Sequence, residues 1–128
     1  MVDFDAEGTR KRLMDVLTYE AARPGMLHII FCDDDFLLDI NKRYLDHHDY
    51  TDVITFDYGD EYEGASGDMF ISVPMVKENA EKYDVPVGEE LLRVMIHGLL
   101  HLLGYNDKEE ADRQQMKAKE NYYLSLLS

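Results

Sequence analysis

The chain has 128 residues, 45% hydrophobic and 31% charged, enough apolar material for the core of one soluble domain, predicted to span residues 1–128. Its single cysteine, Cys32, excludes an internal disulfide, and the interruption of its greasiest run by Arg93, His97 and His101 excludes a membrane-spanning helix. Thirteen basic against 27 acidic residues give a formal net charge of -14, which opposes long-range attraction to a polyanion such as RNA; composition alone argues against a nucleic-acid enzyme.

The opening residues are acidic and lack the basic-then-apolar layout of a secretion signal, so the expected location is the cytoplasm. A short edge strand is expected over residues 2–5. After Gly8-Thr9, the positions Leu13, Val16, Leu17, Glu20 and Ala21 recur at helical spacing until Pro24-Gly25 stops the pattern. Residues 27–32 are rich in strand formers and read as an inner strand, with His28 a packing or edge residue. Asp33-Asp34-Asp35 then opens a second helix, one aspartate capping it, with Phe36, Leu37, Ile40, Asn41 and Tyr44 as the inward face. His47 and His48 fall in a loop, where adjacent side chains diverge, and read as solvated.

Residues 51–58 alternate as a strand should, and an acidic, glycine-punctuated connector leads to a third strand over 67–73. There Asp68, Phe70 and Ser72 share one side, and Met69, Ile71 and Val73 the other. Pro74 suits the first turn of a helix running to Tyr83; residues 85–88 break it, Glu89-Glu90 opens the next helix, and residues 108–127 form the last. The interleaving without strict alternation predicts an α+β fold, a mixed sheet of about four strands with helices packed over it around a buried central helix.

Chemistry concentrates on that central helix. His97 and His101 are four apart, so both imidazoles project from one face, one turn apart, as a metal-chelating pair. Gly104 has the identity that ends a helix in a left-handed conformation and turns the chain back, bringing Asp107 towards the same point. Asp107 also reads as an N-cap for the last helix, and a carboxylate can serve both roles. A His97, His101, Asp107 site with open positions would resemble a zincin and hold a divalent cation, Zn2+ first; the carboxylate, a harder ligand, also admits Mn2+ or Fe2+. The residue after the first histidine is Gly98, where the zinc proteases carry their glutamate base, which argues against peptide hydrolysis by the usual route.

The run His97-Gly98-Leu99-Leu100-His101-Leu102-Leu103-Gly104-Tyr105 resembles the signature of the YbeY family of metal-dependent endoribonucleases, which continues Asp-His where this chain has Asn106-Asp107. Thr51-Asp52-Val53-Ile54-Thr55-Phe56 and Gly67-Asp68-Met69-Phe70-Ile71-Ser72 are similar to two further family segments, and Asn41 and Tyr44 share its register. The family usually has an arginine after that tyrosine, implied to act in RNA cleavage; here the position is Leu45. Lys42, Arg43 and Lys108 are the candidate substrate contacts, and Asp52, Asp68 and Ser72, with Thr55, the candidate groups for orienting substrate or catalysis.

The resemblance implies a single-strand-specific endoribonuclease in 16S ribosomal RNA 3′-end maturation and ribosome quality control. It also implies partners in the small ribosomal subunit and assembly factors such as the Era GTPase. Two other readings stay open: a metal-dependent hydrolase of peptides or small molecules, and a non-catalytic metal-binding assembly factor.

Overall fold

The computed structural model describes residues 5–45, 50–59 and 62–127. The elements, in chain order, are α1 (Ala6–Tyr19), β1 (Pro24–Cys32), α2 (Asp34–Leu45), β2 (Val53–Asp57), β3 (Ala65–Ser72), α3 (Val73–Tyr83), α4 (Val87–Leu102) and α5 (Glu110–Leu127). The sheet has three strands in the order β1-β3-β2, so the expected four-stranded sheet is corrected to three among the described residues. β3 runs parallel to β1 and antiparallel to β2, a mixed sheet. The expected strand over residues 2–5 falls mostly outside the described residues; Asp5 itself caps α1, its Oδ1 accepting from Gly8 N at 3.0 Å.

β3, not β1, is the inner strand. An inner strand reads as a nearly continuous buried run, and residues 65–72 do so, whereas β1 alternates into solvent. The predicted two-sidedness of β3 holds through residue 72. Met69 and Ile71 join the main core with α1, α4 and α5, while Phe70 packs with Leu37, Ile40 and Ile54 beneath α2. Val73 instead begins α3. On α2, Leu37, Ile40 and Asn41 are buried as expected, but Phe36 and Tyr44 lie 50% and 69% exposed, at the ends of an aromatic row with Phe70 and Phe56. Asp33 is the aspartate that caps, its Oδ1 accepting from Phe36 N at 2.7 Å. His47 and His48 lie outside the described residues.

The central helix α4 is buried along most of its length, and its contact with β3 is unusually close. A Cβ placed on Gly98 would stand 2.8 Å from Met69 Cε and 2.9 Å from its Sδ. Met69 is wholly buried, so its side chain has little room to retreat. That closeness gives a physical reason for the missing protease glutamate: any side chain after His97 must displace Met69, and a glutamate more than an alanine.

A second node fixes the far end. The Glu20 carboxylate, just after α1, accepts from Tyr105 Oη at 2.5 Å, Lys119 Nζ at 3.0 Å and the Tyr123 hydroxyl, tying α1 to the turn after α4 and to α5. Burial alone would raise the pKa of Glu20, but these three donors together hold it below the ordinary 4.5.

Two predictions follow from these contacts. Gly98→Ala gains helix propensity yet overpacks Met69, so thermal unfolding should show a net loss of about 1–2 kcal/mol, relieved by adding Met69→Val. A depressed carboxylate stabilises the fold above its ordinary pKa, and that contribution is lost as pH falls through the folded value. Glu20→Gln should therefore lower the melting temperature near neutral pH, and its deficit against the parent chain should shrink below about pH 4.5.

Candidate metal centre

The side chains of His97, His101 and Asp107 converge. The two Nε2 atoms are 3.0 Å apart, and Asp107 Oδ2 lies 3.3 Å from His101 Nε2 and 3.7 Å from His97 Nε2. Each imidazole is half-buried and fixed through its other nitrogen. His97 Nδ1 donates to Glu120 Oε2 at 2.7 Å, and His101 Nδ1 to the carbonyl oxygen of Tyr105 at 2.9 Å.

Those partners set the tautomers. A carbonyl or carboxylate oxygen only accepts, so each Nδ1 carries the proton and, on a neutral ring, each Nε2 is a bare lone pair. Three acceptors then face one another with no donor between them, an arrangement that needs positive charge at its centre. His97 shows the same demand: burial would lower its pKa, but the hydrogen-bonded Glu120 carboxylate, with Asp52 and Asp107 nearby, more than offsets this and raises it. Two imidazoles and a carboxylate with their outer nitrogens anchored are a fitting donor set for a divalent cation.

Local sequence explains the assembly. Gly104 adopts φ +102°, and Tyr105 N donates back to Leu100 O at 3.0 Å, closing α4 in a left-handed cap. This cap presents the Tyr105 carbonyl to His101 and turns Asp107 inward. Asp107 makes no cap: α5 starts at Glu110, and its first-turn bond from Arg113 N goes to Glu109 O.

The triad sits where two clefts meet. One, of about 620 Å³, is lined by His97, Asp107, Glu90, Glu120, Arg93 and Lys117, among others. The other, of about 390 Å³, holds His101 with Asn41, Leu45, Tyr50 and Thr55. Leu45 therefore lines the His101 side of the site and brings no charge to it.

The remaining predicted residues divide sharply. Asp52 lies among His97, Glu120 and Glu90, bonded to Asn79 Nδ2 at 3.2 Å, and burial raises its pKa against the opposing pull of His97. Asp68 is on the α2 face of β3, bonded to Tyr58 and near His28, turned away from the triad. Ser72 is fully buried, and its Oγ caps α3 by accepting from Met75 N at 3.2 Å, so it is not placed to meet substrate. Arg43 pairs with Asp39 at 3.1 Å and borders the same α2-side cavity as Asp68. Lys42 is exposed in the last turn of α2, and Lys108 is exposed beside Asp107.

Glu120 and Glu90 are the residues that sequence reasoning missed. A signal for both was present. Glu120 falls between Met116 and Tyr123-Leu124 on the apolar stripe of α5, and Glu90 is seven residues before His97, hence on the same face of α4.

An α+β domain with an HxxxH pair on its central helix and a carboxylate returned by a glycine-capped turn defines a class of candidate metalloprotein. Within that class the sequence model of the family described as Endoribonuclease YbeY matches residues 2–128, and the chain belongs to this family. It is 45% identical over 128 residues to an Endoribonuclease YbeY of Phocaeicola vulgatus, covering 100% of this chain and 92% of that protein. It is 50% identical over 113 residues to that of Flavobacterium psychrophilum, covering 87% and 79% respectively. A solution structure of a Thermotoga maritima protein, 27% identical, superposes with a TM-score of 0.67 over 94% of this chain and 79% of that one.

Removing an outer hydrogen bond to a ligand histidine typically costs 10–100-fold in metal affinity. Glu120→Ala, which removes the acceptor of His97 Nδ1, should weaken zinc binding by about that factor in competition with a chromophoric chelator. His97→Ala and His101→Ala should each abolish stoichiometric metal by elemental analysis, and full retention in both would remove the site.

Proposed function

We propose that this chain is a metal-dependent, single-strand-specific endoribonuclease that matures the 3′ end of 16S ribosomal RNA and serves in ribosome quality control. Its partners in this reading are the small ribosomal subunit and assembly factors such as the Era GTPase. The observation that carries it is the convergence of His97 Nε2, His101 Nε2 and Asp107 Oδ2 at the junction of two open clefts, in a chain whose relatives are named endoribonucleases.

His97, His101 and Asp107 would hold a divalent cation, which would supply Lewis acidity towards a phosphoryl oxygen and water. The chain's own groups do the rest. Glu120 and the Tyr105 carbonyl hold protons on the two Nδ1 atoms, which keeps both Nε2 atoms facing inward as ligands. Asp52 is the carboxylate in the electrostatic neighbourhood of His97 that is neither a ligand nor a histidine anchor, which makes it the favoured group for orienting substrate or water. Zinc suits the donor set, and the carboxylate also admits manganese or iron.

A peptidase reading is disfavoured by the tight Gly98–Met69 contact, which excludes the usual base. Leu45 favours the other alternative, a non-catalytic metal-binding ribosome-assembly factor, because the His101 cleft has leucine where the family resemblance implies an arginine that acts in cleavage.

Incubation with single-stranded ribosomal RNA and with casein, each with and without chelator, separates the three. RNA cutting abolished by chelator, with casein intact, is the expected result. Cleavage of casein alone supports the peptidase, and a chelator-dependent fall in melting temperature with neither polymer cut supports the assembly factor.

A further inference from the structure

The larger cleft beside the triad contains a group that metal binding does not use. Glu90 is 3% exposed on α4, and its Oε1 has no hydrogen-bond partner among the described residues. Its nearest cation, Arg93 Nε, is 3.9 Å away, and the Arg93 guanidinium also reaches Glu120 Oε1 at 3.4 Å. A buried acceptor left unpaired costs about 1–3 kcal/mol, so its presence on a cavity wall points to a donor that arrives with a ligand.

The surroundings narrow that ligand. Met116 and Val85 give apolar walls, and Tyr83, 58% exposed, gives an aromatic face at the mouth. Lys117 and Arg113 line the rim, Arg113 paired with Glu110 at 2.8 Å, and Lys82 Nζ stands 5.4 Å from the Tyr83 ring centroid. A cavity of about 620 Å³ is of the size that takes small organic groups. Lys117 at the rim, Arg93 in the wall and an unpaired carboxylate within suit a ligand with an anionic group at one end and N–H donors at the other. The same two cations oppose entry of a lysine or arginine of a peptide and favour the phosphate of a nucleotide.

Among the bases, guanine offers two adjacent N–H donors on its Watson–Crick edge, the pattern a carboxylate receives in pairs. Glu90 precedes His97 by seven residues, about 10 Å along the helix. That is roughly the span from a backbone phosphate to the far edge of its base.

We infer that this cleft is a nucleobase pocket in which Glu90 receives the N1–H and N2–H of a guanine flanking the phosphate placed at the triad. The inference rests on the ribonuclease reading for its substrate, and its test does not depend on cleavage. Oligouridines carrying one central guanosine, inosine or adenosine, fluorescently labelled, are titrated with the full chain and followed by anisotropy.

The guanosine oligomer should bind about tenfold more tightly than the other two, the discrimination expected of a bidentate pair. Glu90→Gln should bring the three within about twofold of one another. Equal binding of the three by the parent chain overturns the pocket, as does a guanosine preference that survives Glu90→Gln. Displacement of the oligomers by an arginine-rich peptide blocked by Glu90→Gln overturns it in favour of a peptide site. The comparison among the three oligomers on the parent chain stands even if the variant does not fold. Guanosine preference without cutting of any oligomer keeps the pocket and removes the nuclease; cutting without preference does the reverse.

Discussion

Three lone-pair-bearing atoms, two imidazole nitrogens 3.0 Å apart and a carboxylate oxygen 3.3 Å from the nearer, cannot sit together without positive charge among them. The surrounding fold holds this convergence in place. Glu120 and the Tyr105 carbonyl prevent either ring from turning its protonated nitrogen inward to relieve the repulsion. Glu20 in turn fastens the turn that carries Tyr105, through its hydroxyl, to α1 and α5. The packing of Gly98 against Met69 sets how near the histidine helix lies to the sheet, and therefore how the two clefts meet at the triad.

Much of this was legible in the sequence because it depends on spacing along one helix. Histidines four apart, a glycine able to take positive φ and an aspartate three residues beyond it are local facts, and the structure brings the three side chains together. Helix starts differ by two residues where caps compete: α4 begins at Val87 behind Pro86, ahead of Glu89, and α5 at Glu110, beyond Lys108, which leaves Asp107 free to turn towards the imidazoles.

What was not legible depended on pairing between distant segments. Residues 27–32 have the composition of an inner strand, yet strand order is decided by partners, and β3 has the longer buried run. Alternation correctly put Asp68 and Ser72 on one side of β3 but did not tell which side faced α4. The buried carboxylates Glu90 and Glu120 were readable as acids on apolar stripes, but giving them work required knowing that α5 packs on α4. Net charge misled differently: an average of -14 conceals a cleft whose lining carries Arg93, Arg113 and Lys117 among its carboxylates.

The donor set is also discontinuous in order of synthesis. The two histidines emerge before the aspartate, which follows the glycine-capped turn, and the carboxylate that orients His97 comes 23 residues after it. A nascent chain that has not yet docked α5 thus has chelating side chains without the clamp that fixes them. Tight capture of a cation by this donor set would thereby be reserved for polypeptides whose C-terminal helix has come home, and loading with metal would report completion of the fold.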